Sequence, residues 1–274
     1  MDLEKIITIS RPRFWIYLLG PFLVGLAAVY PGLKNIWLLV LFGLYVTLPA
    51  NLLVYGINDI FDYETDKQNP KKENYESKIT PQERNEFWVV IIITNLPFLI
   101  LAWFLPVFAQ VSLGAFLFFG IFYSAEPIRA KTIPFLDSFF NILYLFPGYV
   151  GYFLAGGSGF NWKIFLAGVC WVMAMHAYSA VPDIEADKKV SIKTIATKLG
   201  GKNTIYFCLL LYSLSAILTV SYLGYISLSL WLVYAGLMII SIVNFKQNKL
   251  MKIYKVFPVI NLISGFLIFL YVLQ

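Results

Sequence analysis

The sequence predicts an all-α membrane protein, a single transmembrane domain over 1–274 with nine spanning helices. Three observations carry that expectation. Residues are 59% hydrophobic and 13% charged, where soluble domains carry about 25% charged. Mean hydropathy is +0.74, and nine apolar runs alternate with charged connections. With 24 Phe, 18 Tyr and 7 Trp, the chain has too little polar surface to cover a water-facing globule and is solvated by lipid. The net charge of +6 would suit a nucleic acid only if gathered on one folded basic face. It is instead sorted by loop, so the expected partner is the bilayer and no nucleic acid is expected.

The runs are bounded by charge, proline or glycine. The first, 14–30, follows Arg11-Pro12-Arg13 and ends at Pro31-Gly32. The second, 36–57, starts after Lys34-Asn35 and stops at Asn58-Asp59. Runs at 87–105 and 107–125 are separated by Pro106, and 136–155 follows Pro134-Phe135. The sixth, 164–181, lies between Lys163 and Pro182-Asp183; the last three are 205–223, 228–243 and 257–273. Short outer connections leave a re-entrant hairpin as the alternative at 107–125 and 228–243. The N-terminus offers no small-residue cleavage site after a short apolar stretch, so a removable signal peptide is not expected. Cys170 and Cys208 sit in apolar runs without zinc or redox spacing and read as packing residues.

Charge then sets the orientation. One side receives Lys5, Arg11 and Arg13, the 58–86 loop, Arg129 and Lys131, the 182–204 loop, and Lys246 to Lys255. That side holds 19 of the 21 basic residues, leaving Lys34 and Lys163 on the other. The positive-inside rule makes it cytoplasmic, with the N-terminus in and the C-terminus out.

Two acidic clusters end helices on that side. In Asn58-Asp59-Ile60-Phe61-Asp62-Tyr63-Glu64-Thr65-Asp66, about 100° per residue brings Asp59, Asp62 and Asp66 within roughly 60° of one another. In Pro182-Asp183-Ile184-Glu185-Ala186-Asp187, Asp183 and Asp187 share a face. The separation Asp62 to Asp183 equals Asp66 to Asp187, 121 residues. Like charges at i,i+4 repel, and near a bilayer they are poorly screened. Pairing with nearby lysines in a solvated loop is one reading. Hard oxygen ligands without His or Cys suit Mg²⁺, which is usually shared between one or two carboxylates and substrate phosphates. Two such clusters facing each other would hold about two metal ions around a diphosphate.

These motifs within nine spans resemble the UbiA superfamily of intramembrane prenyltransferases, together with Arg11-Pro12-x-x-Trp15, Lys193-Thr194 and Leu199-Gly200. The resemblance implies nine helices around a central lipid-open cavity, capped by about 58–86 and 182–204. It implies Mg²⁺ as cofactor, held by Asp59, Asp62, Asp66, Asp183 and Asp187, with Asn58 beside them at an allylic prenyl diphosphate, and an inner-membrane location in a prokaryotic cell. Tyr123-Ser124-x-x-Pro127-x-Arg129-x-Lys131, Leu136-Asp137-Ser138-x-x-Asn141 and His176-Ala177-Tyr178-Ser179-Ala180-Val181-Pro182-Asp183 are most similar to the carotenoid-elongating, lycopene elongase type of branch. That likeness implies transfer of a dimethylallyl group to a lipophilic C40 acceptor such as lycopene. An aromatic or quinone-precursor acceptor is the nearer alternative. A cation-coupled transporter is the farther one, although transporter sites usually lie at the midplane. The chain departs from related sequences at Val190-Ser191, where a glycine usually stands.

Further residues have two readings each. Arg129 and Lys131, with Lys193 as a competitor, would donate to the diphosphate oxygens as charge develops, or serve topology alone. Asp137 and Asn141 would position substrate, or Asp137 would bridge to Arg129 or Lys131. Asn51, two turns before Asn58, would hydrogen-bond across helices, or line the cavity. His176, the one histidine, would accept a proton from the cationic product, or make a single interhelical bond. Tyr123 and Tyr178 would line a cavity and offer π faces to an allylic cation, or pack.

Overall fold

The computed structural model describes residues 2–66, 78–245 and 247–274, the side chains of 64–66 and 247–249 excepted. Among the described residues every regular element is helical. The α-helices are α1 Leu3–Ile9, α2 Ile16–Ala27, α3 Ile36–Tyr45, α4 Leu48–Asp66, α5 Arg84–Ala102, α6 Val107–Ser124, α7 Leu136–Phe139 and α8 Phe146–Leu154. They continue as α9 Trp162–Ala180, α10 Ile184–Lys189, α11 Ile195–Leu199, α12 Gly201–Leu223, α13 Tyr225–Val243, α14 Gln247–Tyr254 and α15 Phe257–Leu273.

Seven stretches of described residues are long and apolar enough to cross a bilayer: Ile36–Tyr63, Arg84–Ala102, Val107–Ser124, Trp162–Lys189, Gly201–Leu223, Tyr225–Val243 and Leu250–Leu273. They carry Ile93, Phe108, Ile217, Val243 and Phe266 exposed on their surfaces, faces that only lipid solvates cheaply. The protein is an integral membrane protein. The sequence expectation was nine spans, and the two runs not among these seven differ for local reasons. The first run folds as a 12-residue helix, α2, about 18 Å long at 1.5 Å per residue against a hydrocarbon core of about 30 Å. The fifth breaks into α7, a 3-10 segment Phe140–Tyr144 and α8. There the Asn141 side chain donates to the Asp137 carbonyl at 2.7 Å, a local bond that competes with helical pairing. Pro147, which has no N–H, stands at the second position of α8, where a donor is dispensable.

The chain forms two compact units, Met1–Arg129 with Phe146–Ser158, and Ala130–Leu145 with Gly159–Gln274. In the first, α2 and α8 pack through glycine. A Cβ on Gly25 would run into the Gly148 carbonyl oxygen, and one on Gly151 would lie 2.6 Å from the Phe22 carbonyl oxygen. Small residues let helix backbones approach this closely where no hydrophobic drive exists between them. Tyr45, Phe98 and Phe116 form an aromatic core around α3, α5 and α6, with ring centroids 5.0 Å apart for Tyr45 and Phe98. The apolar run 36–57 contains a break at Val46-Thr47. Asn51 donates to the carbonyls of Val46 at 2.9 Å and Thr47 at 2.6 Å. It thus reaches the carbonyls that end the preceding helix, where the sequence suggested a bond across helices.

The amphipathic α1 packs on α4, burying Ile9, and is tied to the start of α5 by the Lys5–Glu83 ion pair. Desolvation pushes the Glu83 carboxyl up, yet bonds from Lys5 and Thr80 and the lysine charge outweigh it, holding its pKa at about 2. Because the folded value lies below the ordinary carboxylate range, the pair contributes above that range and is lost only as pH falls through about 2. The tether therefore persists at any physiological pH.

In the second unit α9 packs against α12, and α12 against α13. Tyr212 stacks on Tyr234 at 4.5 Å, Tyr178 meets Phe257 at 4.9 Å, and Tyr234 donates to Asn261 at 2.9 Å. Cys208 is buried, Cys170 half-buried, and both are free thiols.

Gly25→Ala should cost about 1–3 kcal/mol by overpacking, seen as a lowered thermal midpoint in detergent. Gly114→Ala, where a Cβ meets nothing within 4 Å, should leave that midpoint unchanged or slightly raised.

Candidate active site

The first acidic motif is the last turns of α4. Asn58 donates to Ser124 Oγ on α6 at 3.0 Å. Asp59 is 2% exposed and accepts from the Arg11 guanidinium at 2.8 Å. One turn on, Asp62, also buried, lies 3.6 Å from Arg129. Arg129 in turn reaches the exposed Glu126 at 4.0 Å, a surface contact of little energetic weight. Burying a carboxylate costs several kcal/mol unless a cation is fixed against it. Here each of two adjacent carboxylates has an arginine, whose charge cannot be titrated away. Asp66 is the last residue of α4, and its side chain lies outside the described residues, as does the 67–77 portion of the expected 58–86 cap.

The second motif follows α9. Pro182 converts the helix to a 3-10 turn, Val181–Asp183, before α10 resumes. Asp183 ends that turn and Asp187 lies on α10; both are half-buried. Glu185, on another face, meets Lys188 at 3.9 Å and is exposed. Ser191 takes a left-handed backbone with φ 58°, the conformation glycine adopts without cost. The departure at Val190-Ser191 therefore keeps the turn geometry that a glycine would serve.

The segment beyond is pinned by Asp137. Its carboxylate accepts from the Ile195 N–H at 2.8 Å, while Thr194 and Thr197 close a capping box at the start of α11. Asp137 thus holds α11 beside α7, where the sequence suggested a bridge to Arg129 or Lys131. Asn141 braces the Asp137 carbonyl. His176 faces Ser138 with Nδ1 and Oγ 3.2 Å apart, and Tyr178 hydroxyl lies 2.8 Å from Ser241 Oγ. Lys131 is half-buried on the 3-10 turn Ala130–Thr132, Lys193 is exposed, and Tyr123 is half-buried one residue before Ser124.

The structure gathers Asn58, Asp59, Asp62 and Arg129 in one unit, and Asp137, Asn141, His176 and Tyr178 in the other. Sequence reasoning quoted Arg11 as part of a motif but gave it no place in the site. The signal was present in Tyr55, four residues before Asp59: the Arg11 guanidinium lies 4.6 Å from that ring, so two rungs of one helix face receive it.

Among the described residues no three His, Cys, Asp or Glu side chains converge as a metal site. The donor chemistry nevertheless fits Mg²⁺, which takes one or two carboxylates and completes its oxygen shell with water and phosphate. Buried carboxylates facing arginines thus end a helix of this helical membrane protein.

The comparisons narrow the class. The model of the UbiA prenyltransferase family matches residues 18–270, and the chain belongs to that family of prenyltransferases. It is 38% identical over 237 residues to "Lycopene elongase/hydratase" of Haloarcula japonica, covering 86% of this chain and 80% of the relative. It is 41% identical over 213 residues to the protein of that name in Halobacterium salinarum, covering 76% of each. Its fold matches a UbiA homolog from Archaeoglobus fulgidus bound to GPP and Mg²⁺, with TM-score 0.72 at 19% identity over 97% of this chain and 99% of the other.

Asp137→Ala leaves the Ile195 N–H without its acceptor and should cost about 1–3 kcal/mol. Amide exchange across 192–199 should quicken while that of α12 is retained.

Proposed function

We propose that this enzyme transfers a dimethylallyl group from its diphosphate to a C40 carotenoid acceptor, with lycopene as the expected substrate. The observation that carries the donor half is the quartet Arg11, Asp59, Asp62 and Arg129, two buried carboxylates against two half-buried arginines, an alternation of fixed charges suited to a metal-bound anion. The acceptor half is supported by the 38–41% identity to proteins named for lycopene elongation and hydration. The GPP and Mg²⁺ bound by the Archaeoglobus fulgidus protein support the cofactor.

In this reading Asp59, Asp62, Asp66, Asp183 and Asp187 would hold Mg²⁺, which would supply positive charge to offset that of the leaving diphosphate. Asn58, Arg129, Lys131 and Lys193 donate to the diphosphate oxygens, strengthening their hold as negative charge develops. The allylic C–O bond breaks with its electron pair leaving on oxygen. The acceptor's end-group alkene supplies the pair for the new C–C bond, and the cation left on the acceptor loses a proton. Exclusion of water by the surrounding lipid-facing helices protects the first cation from hydrolysis. Asp137, bound to Ile195 N–H, acts here through the segment it anchors.

The proposal includes nine membrane crossings, with α2 and the 136–154 segment as the two beyond those long enough by themselves. It also places the N-terminus and the segments at 58–86 and 182–204 on the cytoplasmic face of an inner membrane.

Expression in cells accumulating lycopene, followed by mass analysis of the pigments, tests the activity. The expected result is a gain of one or two five-carbon units. Unchanged pigment despite good expression would reject the carotenoid acceptor in favour of an aromatic one. Asp62→Ala and Asp183→Ala should each lower turnover at least about 100-fold with the fold intact by circular dichroism, and a chelator should do the same to the unmodified enzyme.

A further inference from the structure

Arg11 sits in an improbable backbone. Its φ of 53° and ψ of 70° are left-handed, a region costly for a residue with a Cβ, and it precedes Pro12, which favours extended backbone at this position. Strain of this kind persists only where the surroundings impose it, and it concentrates at functional sites. Upstream, α1 is fixed by Lys5–Glu83. Downstream, Trp15 Nε1 donates back to Ser10 O and Oγ, each at 3.1 Å. Between these anchors the guanidinium, 12% exposed, spans the Tyr55 ring and Asp59.

We propose that Arg11 is a positioning residue that makes metal occupancy of the first acidic motif depend on the arrival of the donor's diphosphate. This rests on the reading of that motif as a Mg²⁺ site. Without donor, the permanent cation already offsets Asp59 and repels a divalent ion approaching the same carboxylates through a low-dielectric surrounding. A bound diphosphate brings a larger negative charge, and Arg11 then adds to the attraction instead of opposing it. The metal therefore loads together with the donor, and the acidic helix end does not hold Mg²⁺ tightly between turnovers. The Tyr55 face contributes by keeping the guanidinium in place through cation–π attraction.

Mn²⁺ affinity, read by paramagnetic resonance of free Mn²⁺ on purified full-length protein with and without a thiolodiphosphate analogue of the donor, tests this. Arg11→Gln should tighten donor-free Mn²⁺ binding about fivefold or more and shrink the gain produced by the analogue. Tyr55→Leu, which keeps both charges and so avoids a lone buried carboxylate, should shift both in the same direction by a smaller factor. Donor-free affinity unchanged or weakened in these variants, while Asp62→Ala abolishes Mn²⁺ binding, would overturn the role of Arg11. Mn²⁺ binding by Asp62→Ala equal to that of the unmodified protein would overturn the metal reading of the motif itself, and the Arg11 role with it.

Discussion

The structure depends on how a helix can end in carboxylates next to a bilayer. Removing Asp59 and Asp62 from water carries a penalty of several kcal/mol each, and two carboxylates one turn apart repel as well. Arg11 at 2.8 Å from Asp59 and Arg129 at 3.6 Å from Asp62 offset that penalty. Both arginines adopt left-handed backbone, φ 53° and φ 45°, so the chain bears local strain to bring them there.

Most other features of the first unit serve that placement. Close α2–α8 packing through Gly25 and Gly151 sets the helix that follows the Arg11-Pro12 turn. Asn51 seals the break between α3 and α4, which leaves α4 an independent rod carrying the motif. Asn58 and Ser124 tie that rod to α6, whose C-terminal end leads on to Arg129. In the second unit the corresponding work is done by Asp137, whose bond to Ile195 holds the segment that follows Asp183 and Asp187.

Much of this was legible before any coordinates. Seven apolar runs became membrane-length helices because long runs leave a lipid-solvated backbone no alternative to helix. The 14–30 run and the 136–155 run form shorter helices. Hydropathy registers apolar side chains but not the Asn141 to Asp137 bond or the place of Pro147 in a helix start. The expectation of acidic faces came from 3.6-residue periodicity, which does not register the 3-10 turn that holds Asp183 ahead of α10. Arg11 was not assigned, because its partner lies 48 residues away in sequence and pairing at that distance is a property of packing. Asp137 was recognised as a costly intramembrane charge, yet its partner is a backbone N–H, which no side-chain pattern announces. Ser191 shows the converse: a departure from the expected glycine that the backbone absorbs.

In the proposed function this alternation of buried carboxylate and half-buried arginine receives a diphosphate through divalent metal. Equilibrium binding of a non-reacting dimethylallyl diphosphate analogue to the purified enzyme, across a Mg²⁺ titration, measures it most directly. The account predicts saturable binding that rises with Mg²⁺ and vanishes in chelator. Equal affinity with and without metal would contradict it.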